Sequence, residues 1–172
     1  LEAKLRACND VFVATPYPYS SELFVDQTAH EHVGLFTRTF GTPEKYLQVH
    51  RDILNRRFAV ALDGSPRAEG IVHPTARVSD EALLDGHFYV GPGCEVEAGA
   101  RLGPDAVLVA DVRVRRGAYL RDCVLWRGVE AGPDCEVEGC LVGPGVRLGR
   151  SSHLRGAVLG EGSAVSDFSR TL

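Results

Sequence analysis

Methionine is absent throughout, including the first position, so the chain reads as a fragment or a processed product. Long hydrophobic runs are also missing. No stretch approaches the ~20 apolar residues of a membrane helix, and Leu1–Asp10 mixes charges with no apolar core behind it, so no signal peptide is read. Positive charge is not in excess. The formal net charge is −4, and neither the part before Gly70 nor the part after it holds more Lys and Arg than Asp and Glu. The footprint of a nucleic-acid binder is therefore absent. Aromatics make up 8% of the chain, with one tryptophan. The five cysteines, Cys8, Cys94, Cys123, Cys135 and Cys140, form no C-x-x-C pair and have no histidine at zinc spacing.

What is present is a beat. Aliphatic residues fall six apart at Val72, Val78, Leu84, Val90, Val96, Leu102, Leu108, Val114 and Leu120. One step in three then shortens to five, giving Leu125, Ala131, Val137, Val142, Leu148, Leu154, Leu159 and Val165. Four residues on, a second and smaller position recurs, among others at Ala76, Ala82, Cys94, Ala100, Ala106, Val112, Ala118, Val124, Cys135, Ser152 and Val158. In the shortened steps, alignment places Cys123, Cys140 and Ala157 in one column. A six-residue unit is too short for a helix pair and fits a strand plus a corner, three of which close one coil of a parallel β-helix. The aliphatic residues point inward and stack on their copies, and the small residues sit near corners. Cys94, Cys123, Cys135 and Cys140 take small-residue places and read as core thiols, which suits a reducing cytoplasm.

This pattern resembles the hexapeptide-repeat family of left-handed β-helices. The left hand is implied by the resemblance, against the usual right-handed crossover. The fold expected is mainly β: a left-handed parallel β-helix over residues 67–172, preceded by a small α/β remnant with a linker helix over residues 1–66.

Before the coils, Val11–Ala14 and Val33–Phe40 read as short strands, Ser21–Val25 as a short strand or a helical turn, and Tyr17–Ser20 as a turn. Thr42 is a good N-cap and Pro43 suits the first helical position. Tyr46, Leu47, His50, Ile53 and Leu54 then share one helical face, and the helix should stop near Asn55. Phe58–Leu62 reads as a strand and Asp63–Pro66 as a turn.

The run Gly41-Thr-Pro-Glu-Lys-Tyr-Leu, followed by a helix and hexapeptide coils, is similar to the junction in sugar-nucleotide pyrophosphorylases, nearest to the mannose-1-phosphate guanylyltransferase-like group. These enzymes transfer a nucleotidyl group to a sugar 1-phosphate. The resemblance implies that this chain is their C-terminal assembly or regulatory portion. Two departures argue against activity of the chain alone. The family's Gly-rich nucleotide loop is missing, and its magnesium-binding Asp corresponds here to Thr39, a neutral hydroxyl that does not replace a carboxylate on Mg²⁺. No cofactor is expected in this chain, and Mg²⁺ only with a complete catalytic domain.

A different class, a hexapeptide acyltransferase with an acyl-CoA donor, would use His153 as general base. The coils carry no long inserted loop, which favours the first class. His73, His87 and His153 lack the spacing of a zinc site. Arg113, Arg115, Arg116, Arg121 and Arg127 are either a phosphate site or, with Asp111 and Asp122 among them, ordinary surface pairs. Trp126 is either a subunit anchor or a cover packed over its own corner. The expected partners are further copies of the chain, through the β-helix, and a catalytic domain; neither nucleic acid nor membrane is expected, and the compartment expected is the cytoplasm.

Overall fold

A computed structural model describes residues 42–57 and 60–171. Thr39, Cys8, Phe58, Ala59 and the elements read before Gly41 lie outside the described residues.

Helix α1 spans Pro43–Leu54. Thr42, in extended conformation, caps it, its Oγ1 accepting from the Lys45 amide at 3.4 Å. Pro43 begins it and Asn55 closes it, as the sequence dictates.

The coils follow as short strands in three sheets, one per side of the triangle. The first holds Ser65–Arg67, Gly70–Val72, Phe88–Val90, Ala106–Leu108, Cys123–Leu125, Leu141–Val142 and Val158–Leu159. The second holds Leu83–Leu84, Arg101–Leu102, Tyr119–Arg121, Glu136–Glu138 and His153–Arg155. The third holds Arg77–Val78, Glu95–Val96, Arg113–Val114, Glu130–Ala131, Arg147–Leu148 and Ala164–Val165. Every pairing between coils is parallel and in register, so like stacks on like: Val90, Leu108, Leu125 and Val142 on one side, Val96, Val114, Ala131 and Leu148 on another, Leu102, Leu120, Val137 and Leu154 on the third. These residues form one continuous buried core.

Three readings change. In the five-residue steps the inward small residues are Cys123, Cys140 and Ala157, while Val124 lies outside the central core and Val158 is exposed. Strand alternation counts back from the next aliphatic residue, so deleting a corner residue moves the inward place from the fourth position to the third. The chain reversal falls at Ala68–Glu69 rather than at Asp63–Pro66: Ala68 has φ 51°, and Ser65–Arg67 returns antiparallel on Gly70–Val72. Pro66 is tolerated there because this strand is the sheet's edge. Val60–Leu62 forms no strand.

At the far end the tail closes one side. His153 N donates to Ser169 O at 2.8 Å, Thr171 N donates to His153 O at 3.0 Å, and the Thr171 hydroxyl accepts from Arg155 N at 2.7 Å.

Candidate functional site: the face that holds the linker helix

The strands Arg101–Leu102, Arg113–Val114 and Arg147–Leu148 are exposed on one side and buried on the other. Phe88–Val90, Ala106–Leu108 and Cys123–Leu125 are buried throughout. Something must cover the outside of the first sheet there, and α1 does. Leu47 and Leu54 pack with Tyr89, Val107, Val109, Ala110, Val124 and Trp126, bordered by Tyr46, Leu62, Ile71 and Leu141. Sequence reasoning missed this face, although the signal was present. The outward residue of every third hexapeptide, Ile71, Tyr89, Val107, Val124, Leu141 and Val158, is apolar, where the matching row of the third sheet is mostly charged and that of the second is mixed.

The helix is pinned by polar contacts as well as apolar ones. Arg51 and Asn55, one turn apart, reach two successive coils: Arg51 Nε donates to Asp122 Oδ1 at 2.7 Å with a second guanidinium contact to Oδ2, and Asn55 Nδ2 donates to Asp105 Oδ1 at 3.2 Å. Both aspartates sit at corners with positive φ, 61° for Asp105 and 48° for Asp122, a conformation that aspartate tolerates better than most residues. The Asp122 carboxylate holds the Arg51 guanidinium above its usual pKa, and burial pushes the Asp105 carboxyl up. His50 is buried, with Nδ1 2.9 Å from Tyr46 O. Burial lowers its pKa to about 4, so it is neutral at physiological pH.

Trp126 belongs to this face. It is 8% exposed, and its ring stacks on Tyr46 at 6.5 Å between centroids. It packs within the chain, against the helix rather than over its own corner. Its neighbour on the next coil is Gly143, which leaves room beside the indole.

The other residues named from the sequence do not converge. His153 lies on a strand of the second sheet, not at a corner, with Nδ1 3.0 Å from Glu136 Oε2. His73 contacts Thr75, and His87 contacts the Glu69 carbonyl. No cluster of His, Cys, Asp and Glu among the described residues could hold a metal ion. The arginines scatter over different sides: Arg115 pairs with Glu97 and Glu130, Arg121 with Glu138, and Arg127 lies 3.9 Å from Asp111. Surface pairing therefore describes Arg115, Arg121 and Arg127. Cys94, Cys123, Cys135 and Cys140 are buried free thiols, and burial pushes Cys94 up to about 11 and Cys135 up to about 12. Thiols so far from ionising are core residues, as the repeat implied. No helix among the described residues is long and apolar enough to cross a membrane.

Known proteins share both the coils and their sequence pattern. Residues 85–169 match the family described as the GMPPB C-terminal domain. The match bears out, over the coils, the resemblance to the C-terminal part of a sugar-nucleotide pyrophosphorylase; the Gly41–Leu47 run that also carried it lies outside the matched residues. A mannose-1-phosphate guanylyltransferase of Mycobacterium tuberculosis is 35% identical over 85 residues, covering 49% of this chain. The chain spans only 23% of that relative's length. Among solved structures, a GDP-perosamine N-acetyltransferase of Caulobacter crescentus, crystallised with CoA and GDP-perosamine, shares the fold with a TM-score of 0.53 and 20% identity over 59% of this chain and 51% of its own. That likeness concerns the fold alone. The GMPPB C-terminal match covers all but the first coil and stops short of α1.

Proposed function

We propose that the chain is the C-terminal assembly and regulatory portion of a sugar-1-phosphate nucleotidyltransferase of the mannose-1-phosphate guanylyltransferase kind, and that it has no turnover of its own. The observation that carries this reading is α1 laid across the first sheet, beside coils that match the GMPPB C-terminal domain. A helix fastened by Leu47, Leu54, Tyr46 and the Arg51–Asp122 pair fixes, relative to the coils, the point at which a catalytic domain would join. The β-helix in this reading is a rigid post, and α1 is the bracket that joins a catalytic domain to it.

The chemistry supports the lack of turnover. Nucleotidyl transfer needs a phosphate cradle and cations that neutralise developing charge. The Gly-rich loop is absent from the sequence, the family's metal carboxylate is replaced by Thr39, and Arg115 and Arg121 are engaged by carboxylates on separate sides of the coils. Mg²⁺ would serve only a complete catalytic domain. The acyltransferase alternative rests on His153, which sits on a strand against Glu136 in coils that run without an inserted loop.

The test is a pyrophosphate-release assay with the purified chain, Mg²⁺, each nucleoside triphosphate and a panel of sugar 1-phosphates including mannose 1-phosphate, run beside an acyl-CoA thiol-release assay. No turnover in either is expected. Pyrophosphate release abolished by a substitution within this chain would overturn the reading, and thiol release abolished by His153→Ala would establish the alternative.

A further inference from the structure

The outward residues of the third sheet alternate in sign from coil to coil. In register they run Arg77, Glu95, Arg113, Glu130, Arg147 and Ala164. Arg77 pairs with Glu95, and Glu130 is taken by Arg115. Arg113 and Arg147 are exposed and form no ion pair among the described residues, although glutamates flank them along the sheet. The next outward row runs Ser79, Glu97, Arg115, Gly132, Gly149 and Ser166. It carries charge at Glu97 and Arg115 and no side chain at Gly132 and Gly149.

We propose that this face pairs with the same face of a second copy, the two coil axes antiparallel. This deepens the assembly reading above by naming its surface. A two-fold axis lying between the strands Arg113–Val114 and Glu130–Ala131 covers all six strands of the sheet. It sets Arg113 against the partner's Glu130 and Glu95 against the partner's Arg147, each twice, with Arg77 over the partner's Ala164. In the second row Arg115 meets the partner's Gly132 and Glu97 meets the partner's Gly149, so each long side chain faces a position without one. A closed two-fold contact of this kind satisfies the same patch on both copies.

The alternatives on the page are worse. With the coil axes parallel, the two rows exchange, and Glu95 meets Glu97 while Arg113 meets Arg115. Like charges brought together in this way oppose association. The first sheet is covered by α1. On the second sheet, a two-fold centred on its middle strand sets Arg121 against its own copy, a like-charge contact. At the usual ~4.8 Å between strands the third sheet is about 24 Å long. Its area belongs to the weak class of interfaces, and its charge makes it salt-sensitive.

Sedimentation of the 172-residue chain at about 100 μM and low salt tests the proposal. A dimer is expected that dissociates at about 0.5 M salt. Arg113→Glu and Glu130→Arg should each raise the dimer dissociation constant by about 100-fold or more, since both symmetric contacts become repulsive. Mixing the two variants should restore a heterodimer. One of its two central contacts is then the parent pair with its signs exchanged, the other is the parent pair itself, and both are attractive. Circular dichroism melts confirm that each variant is folded, and if either is not, Arg147→Glu with Glu95→Arg makes the same test on the outer pair. A monomeric parent chain overturns both this interface and self-assembly. A parent oligomer unchanged by the reversals, or a mixture that fails to pair, overturns this face and leaves assembly through another surface.

Discussion

Arg51 on the linker helix and Asp122 at a corner of the coils, 71 positions apart, form a two-pronged ion pair. Each side chain is about a third exposed or less, 33% and 28%. The contact therefore orients the helix more than it stabilises it. Its position decides which coils the helix crosses, because Asn55 takes the matching corner one coil earlier.

Removing this pair should loosen α1 without unfolding the coils. Arg51→Ala is expected to cost about 1 kcal/mol or less. Asp122→Asn should behave alike, since asparagine keeps the positive φ that alanine would strain. Hydrogen exchange of the α1 amides should speed up while the amides of the central strands stay protected. Equal acceleration in both regions would contradict the bracket role.

The single tryptophan makes docking visible. Trp126 is expected to emit as a buried indole and to shift to the red when the helix lifts away. Trp126→Ala should cost about 3 kcal/mol through the cavity it leaves beneath α1. Tyr46→Ala, which removes the stacked ring, should give a smaller red shift in an otherwise folded chain. A solvent-like emission from the native protein would contradict the packing.

The core register has its own test. Leu148 is 3% exposed and stacks between Ala131 and Val165. Leu148→Asp places an unpaired charge in that column and should destabilise the coils by more than about 3 kcal/mol. A thermal melt unchanged from the parent would show that the column faces elsewhere.

His50 gives a pH dependence of known sign. Its pKa falls from 6.5 in the open chain to about 4 in the fold because burial opposes the charged form. Between those values the unfolded state holds more protons, so the contribution is present above about 6.5 and is lost as pH falls toward 4. Complete loss would be worth about 3 kcal/mol. Denaturant titrations from about pH 7.5 to about pH 4.5 should show the parent losing more stability than His50→Leu. Parallel curves for the two would place the imidazole in solvent.

The coils were legible in the sequence because a solenoid is built from nearest-neighbour contacts. Each hexapeptide touches its copy one coil away, so the spacing of Leu102, Leu120 and Val137 determined both the strands and the stacking. The cap at Thr42 and Pro43 was legible for the same reason, since a capping contact spans only three residues. The inward turn of Cys123 in place of Val124 needed the alternation of the following strand, where counting forward from Leu120 misleads. What only the tertiary structure decided is where α1 lies. An amphipathic helix states that one face is covered, and an apolar stripe on every third hexapeptide states the same of the coils, but neither names its partner. Arg51 meeting Asp122, and Tyr46 meeting Trp126, follow from a chain path between them that no local period encodes.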